Sequence, residues 1–375
     1  MKSATISAVE AVPVTVRGSK EFKISEGGTS EHVSVILRIR TSQDGLEGIS
    51  EIVSAPPGKP EEFSEEIQSA VRRYVAPALI GLPVQEPTRA MMCVEARLKG
   101  RPWTKAAVNV ALTDLLARSL GVSVAALLGG RIAESVPVIG PVIGIDRPEV
   151  MAEIAASHAA AGVRAVKIKV GETVAADITR VQAVRDAIGP SVQLRVDAND
   201  HYQPADAVRF IRAIESLEPE HIEQPVSRRD LLGLAEVRRR VATPIMTDDA
   251  VATPEEAMMV IRLAAADRIK VKVTKHGFDG ARAIVSMARA AGIGVVLGHV
   301  FELGLAATAE AHFAAATPGL IAPHEIGSMK PMGTSADIIE EDIHSQVGFI
   351  HIPDGPGLGV TLKSDAAGLP SSEAA

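Results

Sequence analysis

Apolar and polar residues alternate along the first fifty positions, in ISAVEAVPVTV, then HVSVILRIRT, the turn SQDG and LEGISEI. A period of two, with turn chemistry between the runs, predicts a three-stranded antiparallel meander. Between its first two strands lies GSKEFKISEGGTSE (18–31), a polar, Gly-rich stretch that reads as a mobile loop able to close over a site. From Pro60 to about Leu127 the period becomes helical, in EEFSEEIQSAVRRYVAPAL and TKAAVNVALTDLLARSLG, and Gly121 is placed to cap the second helix. Strands followed by helices make residues 1–127 a separate α+β domain.

From about Val136 the pattern becomes strand, helix, strand, repeated. The strand-like runs are VPVIGPVIGI, RAVKIKV, VQLRVDA, HIEQP, TPIMTD, DRIKVKV and GIGVVLGH, with helical segments between them. Positions 167, 197, 223, 248, 272 and 299 recur every 24 to 30 residues, about one strand-plus-helix unit. That regularity predicts an α/β barrel of the TIM type over residues 128–340 rather than an open sheet. Residues 341–375 include FIHIPDGPGLGVTL, whose Pro and Gly content suggests an irregular return to the first domain. The tail from about Lys363 is expected to be disordered.

Three acids fall on this repeat: Asp197 in LRVDAN, Glu223 in HIEQP and Asp248 in PIMTDD. Taken singly, each reads as a helix N-cap or a solvated loop residue. Their near-even spacing places all three at the C-terminal rim of adjacent strands, where barrel active sites sit. Three carboxylates there would repel one another unless a divalent cation lay between them. Oxygen-only ligation suits Mg²⁺, with Mn²⁺ as the alternative.

Bulk composition narrows the partners. Charged residues are 23% and hydrophobic ones 46%, an ordinary globular balance. The net charge is −7 and no basic cluster is interleaved with aromatics, which argues against nucleic acid and anionic membrane. Cys93 is the only cysteine, so thiolate metal sites and intrachain disulfides are excluded. Glu10 interrupts the N-terminal apolar run, and no segment reaches the roughly 18 apolar residues that span a bilayer. The expectation is a cytoplasmic enzyme.

Lys167 and Lys169 lie at i and i+2 on one strand and therefore share a face, and Lys272 ends a later strand-like run. Surface strands often carry Lys-x-Lys; inside a barrel whose strands are buried on both faces, the pair needs a reason. Buried ammonium groups near other cations lose their proton more easily, which suits a general base. Lysines across the ring from one another, with a metal between, fit proton abstraction α to a carboxylate.

These motifs together resemble the enolase superfamily, in its muconate-lactonizing-enzyme-like branch, over about residues 1–362. TKAAVNVALTDLLARSLGVSVAALLGG (104–130) looks like the family's capping helix and the Leu-Leu-Gly-Gly approach to the barrel. VKIKVG (166–171) looks like its Lys-x-Lys strand. RVDAN, IEQP and PIMTDDA are similar to its three metal-ligand strands. KVTKHG (272–277) is similar to its sixth strand, and IPDGPGLGV (352–360) to its C-terminal crossover. The resemblance implies a (β/α)7β barrel with an α+β capping domain, and Mg²⁺ held by Asp197, Glu223 and Asp248. It further implies Lys169 and Lys272 as opposed acid/base groups, with Lys167 assisting electrostatically. Asp249 is expected to support a ligand, since neighbouring strand residues face opposite ways. Asn199, His299 and Glu302 complete the candidates for ligand support or substrate binding. His299 reads equally as a specificity group and as a locally bonded rim histidine.

The chain departs from the family pattern at Phe278, where many relatives have a second glycine, and at His299. His324-Glu325-Ile326 stands where dipeptide epimerases of the branch carry Asp-x-Asp, which counts against a dipeptide substrate. Specificity in such proteins falls to the capping domain, here the loops 18–31 and 52–60. The implied reaction is enediolate chemistry on a small carboxylate, with muconate-type cycloisomerisation ranked first. Racemisation or epimerisation of an N-modified amino acid comes second, and dehydration of a hydroxy acid or hydroxyproline third. A Schiff-base aldolase would leave the three acids unexplained. A non-catalytic binding scaffold would be expected to lack a ligand or a lysine. A homo-oligomer is expected from the family.

Overall fold

The computed structural model describes residues 4–54, 62–327, 337–344 and 346–364. The tail beyond residue 364, and residues 55–60 of the second specificity loop, lie outside them. The meander is present as β1 (Ile6–Ile24), β2 (Gly27–Thr41) and β3 (Glu47–Val53), paired in that order. The middle of β2, Ser34 to Leu37, is buried on both faces. Val35, Leu37 and Ile39 join the core of the capping layer, while Ile36 faces the other way into the core shared with the barrel.

Residues 18–31 correct one expectation. They form the far half of a long β1–β2 hairpin, paired through Arg17↔Glu31, Phe22↔Thr29 and Ile24↔Gly27. The hairpin tip rests on the barrel rather than in solvent. Ser25 Oγ donates to the Asn199 carbonyl at 2.9 Å, and the Phe22 ring meets Phe301 edge-on at 4.5 Å.

Helices α1 (Ser64–Ala70), α2 (Ala76–Leu79), α3 (Pro87–Arg97), α4 (Pro102–Leu120) and α5 (Val124–Leu127) follow. Gly121 closes α4 in the left-handed region, φ 69°. α4 is buried nearly all round because β3 packs on one side of it and the helix over Val273–Ala290 on another. A Cβ on Gly48 would stand 2.2 Å from the Ala111 carbonyl oxygen, so only glycine permits that approach.

The barrel alternates β4 (Ser135–Pro137), α6 (Pro148–Ala160), β5 (Ala165–Lys169), α7 (Val174–Ile188), β6 (Gln193–Asp197), α8 (Pro204–Ile214), β7 (His221–Glu223) and α9 (Leu231–Arg240). It continues with β8 (Ile245–Thr247), α10 (Pro254–Arg262), β9 (Arg268–Val271), α11 (Val273–Ala290), β10 (Gly294–Leu297) and α12 (Gly304–Ala315). Strands β5 to β10 form one parallel sheet in sequence order. Single parallel bridges close the ring: Val296↔Ile321, Val138↔His324 and Ile143↔Ile168. The segments around 138–143 and 321–324 thus serve as first and eighth strands of a (β/α)7β barrel capped by an α+β layer. The returning chain pairs β11 (Phe349–His351) with β4 and reaches α4, where Leu358 N–H donates to Asp114 at 2.7 Å.

Candidate active site

The barrel's C-terminal rim collects nearly every residue singled out from the sequence. Lys169, Asp197 and Glu223 are the last residues of β5, β6 and β7. Asp248 and Lys272 follow β8 and β9 directly, and His299 lies just past β10. The ring order decides their relation. Three strands separate β5 from β9 by either route, so Lys169 and Lys272 stand on opposed sides. Between them on one arc lie β6, β7 and β8 with the three acids.

The side chains are almost wholly buried: Lys167, Lys169, Asp197, Glu223, Asp248 and Lys272 are each at most 8% exposed. Lys169 Nζ donates to Asp197 Oδ2 at 2.7 Å and to Asn199 Oδ1 at 2.9 Å. Lys167 Nζ bridges Asp197 at 2.9 Å and Glu223 at 2.6 Å. Lys272 Nζ binds Asp248 Oδ2 at 2.7 Å, with Asp249 at 3.8 Å. Asp249 therefore faces the same cation as its neighbour and also meets Arg228 at 3.4 Å. Glu302 accepts from the Val300 N–H at 2.9 Å and from Thr274 at 3.2 Å. The His299 ring donates through Nδ1 to the Glu325 carbonyl on the eighth strand.

The backbone at this rim is held in an unusual region. Asn199, Asp200, Gln224 and Phe301 all have φ between 38° and 68°, a cost that clusters where surrounding contacts over-determine the chain. Gln224 shows how. Its Oε1 accepts from the Asp248 N–H at 2.9 Å and its Nε2 donates to the Val226 carbonyl at 2.9 Å, tying β7 to the start of the next loop.

Charge and burial compete at each group. Burial pushes the Asp197 carboxyl up, but Lys167, Lys169 and Lys270 outweigh it and hold the group well below the usual carboxylate range. Burial and the Asp197 charge push Glu223 up to about 8. Lys167, although buried, is raised by Asp197, Glu223 and Glu325, which requires an ionised Glu223. Two ammonium groups within 2.8 Å of Glu223 favour that ionised form. At Lys169 burial, helped by the Lys167 charge, outweighs Asp197 and lowers the ammonium. At Lys272 burial is outweighed by Asp248 and Asp249, which raise it. Burial, with Lys270 and Lys167, pushes His299 down to about 3, and burial pushes Glu302 up to about 7.

The donor set suits a hard divalent cation. Every candidate ligand atom is a buried carboxylate oxygen, and Asp248 Oδ1 has no hydrogen-bond partner. Among the described residues, however, the grouping of three acid or histidine ligand atoms within 4.8 Å is His221, Glu223 and Glu325, not Asp197, Glu223 and Asp248. Each of the latter three is drawn to a lysine instead.

Two residues here have no site role in the sequence reading, where Glu325 stands only within His324-Glu325-Ile326. Lys270, two positions before Lys272 on β9, donates to both oxygens of Glu223 at 2.8 and 2.9 Å. Glu325 pairs with Lys270 at 2.7 Å, Lys167 at 3.0 Å and Arg195 at 3.1 Å. The same i, i+2 pattern that marks Lys167 and Lys169 is present in Lys270-Val-Lys272. Glu325 sits on a strand broken by Pro323 and too short to show a period.

A capped (β/α)7β barrel with opposed lysines and an acidic arc at its rim defines an isomerase of the enolase superfamily. The chain belongs to the mandelate racemase / muconate lactonizing enzyme family. The N-terminal domain of that description matches residues 7–129, and the enolase C-terminal domain-like description matches residues 149–366. Over 369 residues, 98% of each chain, it is 33% identical to muconate cycloisomerase 1 of Rhodococcus opacus. It is 34% identical over 361 residues to the L-Ala-D/L-Glu epimerase of Bacillus subtilis (strain 168), covering 95% of this chain and 96% of that one. In structure it is similar to N-succinyl Arg/Lys racemase from Bacillus cereus ATCC 14579, with a TM-score of 0.90, 30% identity and 97% of each chain covered. Among the described residues no helix is long and apolar enough to cross a membrane.

Proposed function

We propose that the protein is a Mg²⁺-dependent cytoplasmic isomerase, with Mn²⁺ the alternative ion, that removes the α-proton of a small carboxylate. One observation carries the reading: two buried lysines on opposed strands, each 2.7 Å from a different carboxylate of the acidic arc. Asp197, Glu223 and Asp248 are the residues that would hold the cation, which supplies positive charge where the enediolate develops.

Lys169 takes the α-proton from one side of the substrate. It does so as the neutral amine, which burial and the Lys167 charge favour, and the ammonium it becomes donates to Asp197 and Asn199. Lys167 lies beneath it and offsets the charge of Asp197 and Glu223. Lys272, opposite, returns a proton or holds positive charge. The hairpin tip at Ser25 and Phe22 covers the mouth and keeps water from the lysines.

Cycloisomerisation of a muconate-type acid is the first reading of the substrate: one carboxylate closes on the diene and a lysine gives a proton to the α-carbon, the reverse of α-proton removal. The likeness to muconate cycloisomerase 1 over nearly the whole chain supports it. A second reading, racemisation or epimerisation of an N-modified amino acid, is favoured by the opposed placement of two buried lysines, each 2.7 Å from a carboxylate. The protein is taken to act as a homo-oligomer.

The test is exchange in D₂O. With Mg²⁺ and a library of carboxylates, deuterium should enter the α-position of the true substrate, and chelation should stop it. Undiminished exchange after exhaustive chelation would rule out the metal-dependent route.

A further inference from the structure

Beneath the rim, the barrel interior holds a second layer of charge that the proposed reaction does not use directly. Lys270 points inward one layer below Lys272, since residues two apart on a strand share a face. It is 1% exposed. Its Nζ contacts Glu223 Oε1 at 2.8 Å, Glu223 Oε2 at 2.9 Å and Glu325 Oε2 at 2.7 Å. Lys167 closes the figure from the other side, at 2.6 Å from Glu223 and 3.0 Å from Glu325. Two ammonium groups and two carboxylates thus form a closed buried ring across the barrel. The neighbouring strand makes room for it: a Cβ at Gly298 would lie 1.9 Å from Lys270 Cε.

The Glu223 and Glu325 oxygens that group with His221 are thus contacted by the Lys167 and Lys270 nitrogens. The ring also bears on Glu223. Both oxygens of that carboxylate already accept from Lys270, so a cation binding there meets a fixed positive charge on the same group.

Resting on the assignment of Glu223 as a metal ligand, we propose that Lys270, together with Glu325, is a positioning pair that sets the site's affinity for a divalent cation. Lys270, bonded to both Glu223 oxygens, places a fixed positive charge beside the ion's seat and so weakens the ion's hold. Glu325 offsets that charge from below. In a medium of intermediate effective dielectric, a unit charge a few ångströms away acts strongly on a divalent ion. Deleting Lys270 therefore tightens metal binding, and deleting the Glu325 charge weakens it.

The test is Mn²⁺ and Mg²⁺ titration by calorimetry on the full-length protein, with melting temperatures measured in chelator alongside. Lys270→Met should bind the ion about tenfold tighter and melt lower than the wild type only when metal is removed. Glu325→Gln should bind about tenfold more weakly, and the double variant should return toward the wild-type affinity. A purely structural lysine would instead leave affinity unchanged or reduce it on replacement, and either result for Lys270→Met overturns the proposal. Should that variant fail to fold, Glu325→Gln decides alone, and wild-type affinity there overturns it equally. A wild-type protein that binds no divalent ion would overturn the metal reading of the rim and this inference with it. Binding by the wild type with no response in the variants would sink only the inference.

Discussion

At the scale of single residues, the site is a problem of excess charge in a dry place. Several carboxylates and several ammonium groups share one barrel mouth, and each is stable there only because others are present. Glu223 is the most constrained, bonded by Lys167 and Lys270 and fully buried. Replacing Glu223 by Gln nearly preserves its shape but removes one negative charge from the proposed ligand set and leaves two lysines undercompensated. Mg²⁺ affinity should fall, and turnover should drop by about 10²-fold or more, as when one stabilising group is lost from a preorganised site. Calorimetry and an exchange assay measure the two effects separately; a Gln variant with wild-type affinity would remove Glu223 from the ligand set. Legibility at this scale followed periodicity. Asp197, Glu223 and Asp248 stood out because they share the barrel's repeat. Lys270 did not, because it sits below the rim in a run that reads simply as strand. Glu325 did not, because its short, Pro-interrupted strand shows no alternation.

At the scale of elements, the strand-helix repeat was legible because the central strands are buried on both faces and helices such as α8 and α11 carry one apolar stripe, although α12 is buried along its whole length. The hairpin over 18–31 was not. Its composition, Gly-rich and polar, is that of a loop, and cross-strand pairing together with contacts from the barrel holds it extended. Such tertiary override leaves no local signature. The capping sheet holds a further buried chain that propensity does not reveal: His32 Nε2 lies 2.9 Å from Ser34 Oγ, which donates to Glu51 at 2.7 Å. Glu51 in turn accepts from the N–H groups of Leu303 and Ala306 at the start of α12, joining the cap to the barrel. Burial pushes His32 down to about 4 from its ordinary 6.5. The unfolded chain therefore binds the extra proton, and the stability this residue contributes is present above pH 6.5 and lost as pH falls toward 4. His32→Gln should remove that dependence, so its stability relative to the wild type falls as pH rises across the window, by up to about 3 kcal/mol. Urea melts at several pH values would show it; parallel curves for the two proteins would mean that His32 titrates normally.

At the scale of the whole molecule, two layers meet so that neither alone completes the site. The barrel supplies the acids and lysines. The capping layer supplies the hairpin that lies over them, fastened by Ser25 to Asn199 and by Glu26 to Arg228 at 3.1 Å. The central claim is that Lys169 and Lys272, with three strands between them by either route around the ring, work on opposite sides of one planar intermediate. The measurement that tests it most directly is α-deuterium incorporation in D₂O, followed separately for each face of the substrate in the wild type and in Lys169→Ala and Lys272→Ala. Each alanine variant should lose overall turnover by about 10²–10⁴-fold. If both lysines transfer protons, each variant should keep exchange only on the face served by the lysine that remains. If one only offsets charge, its variant should exchange more slowly without gaining a preference between faces. Near-normal turnover in both variants on the true substrate would contradict the account.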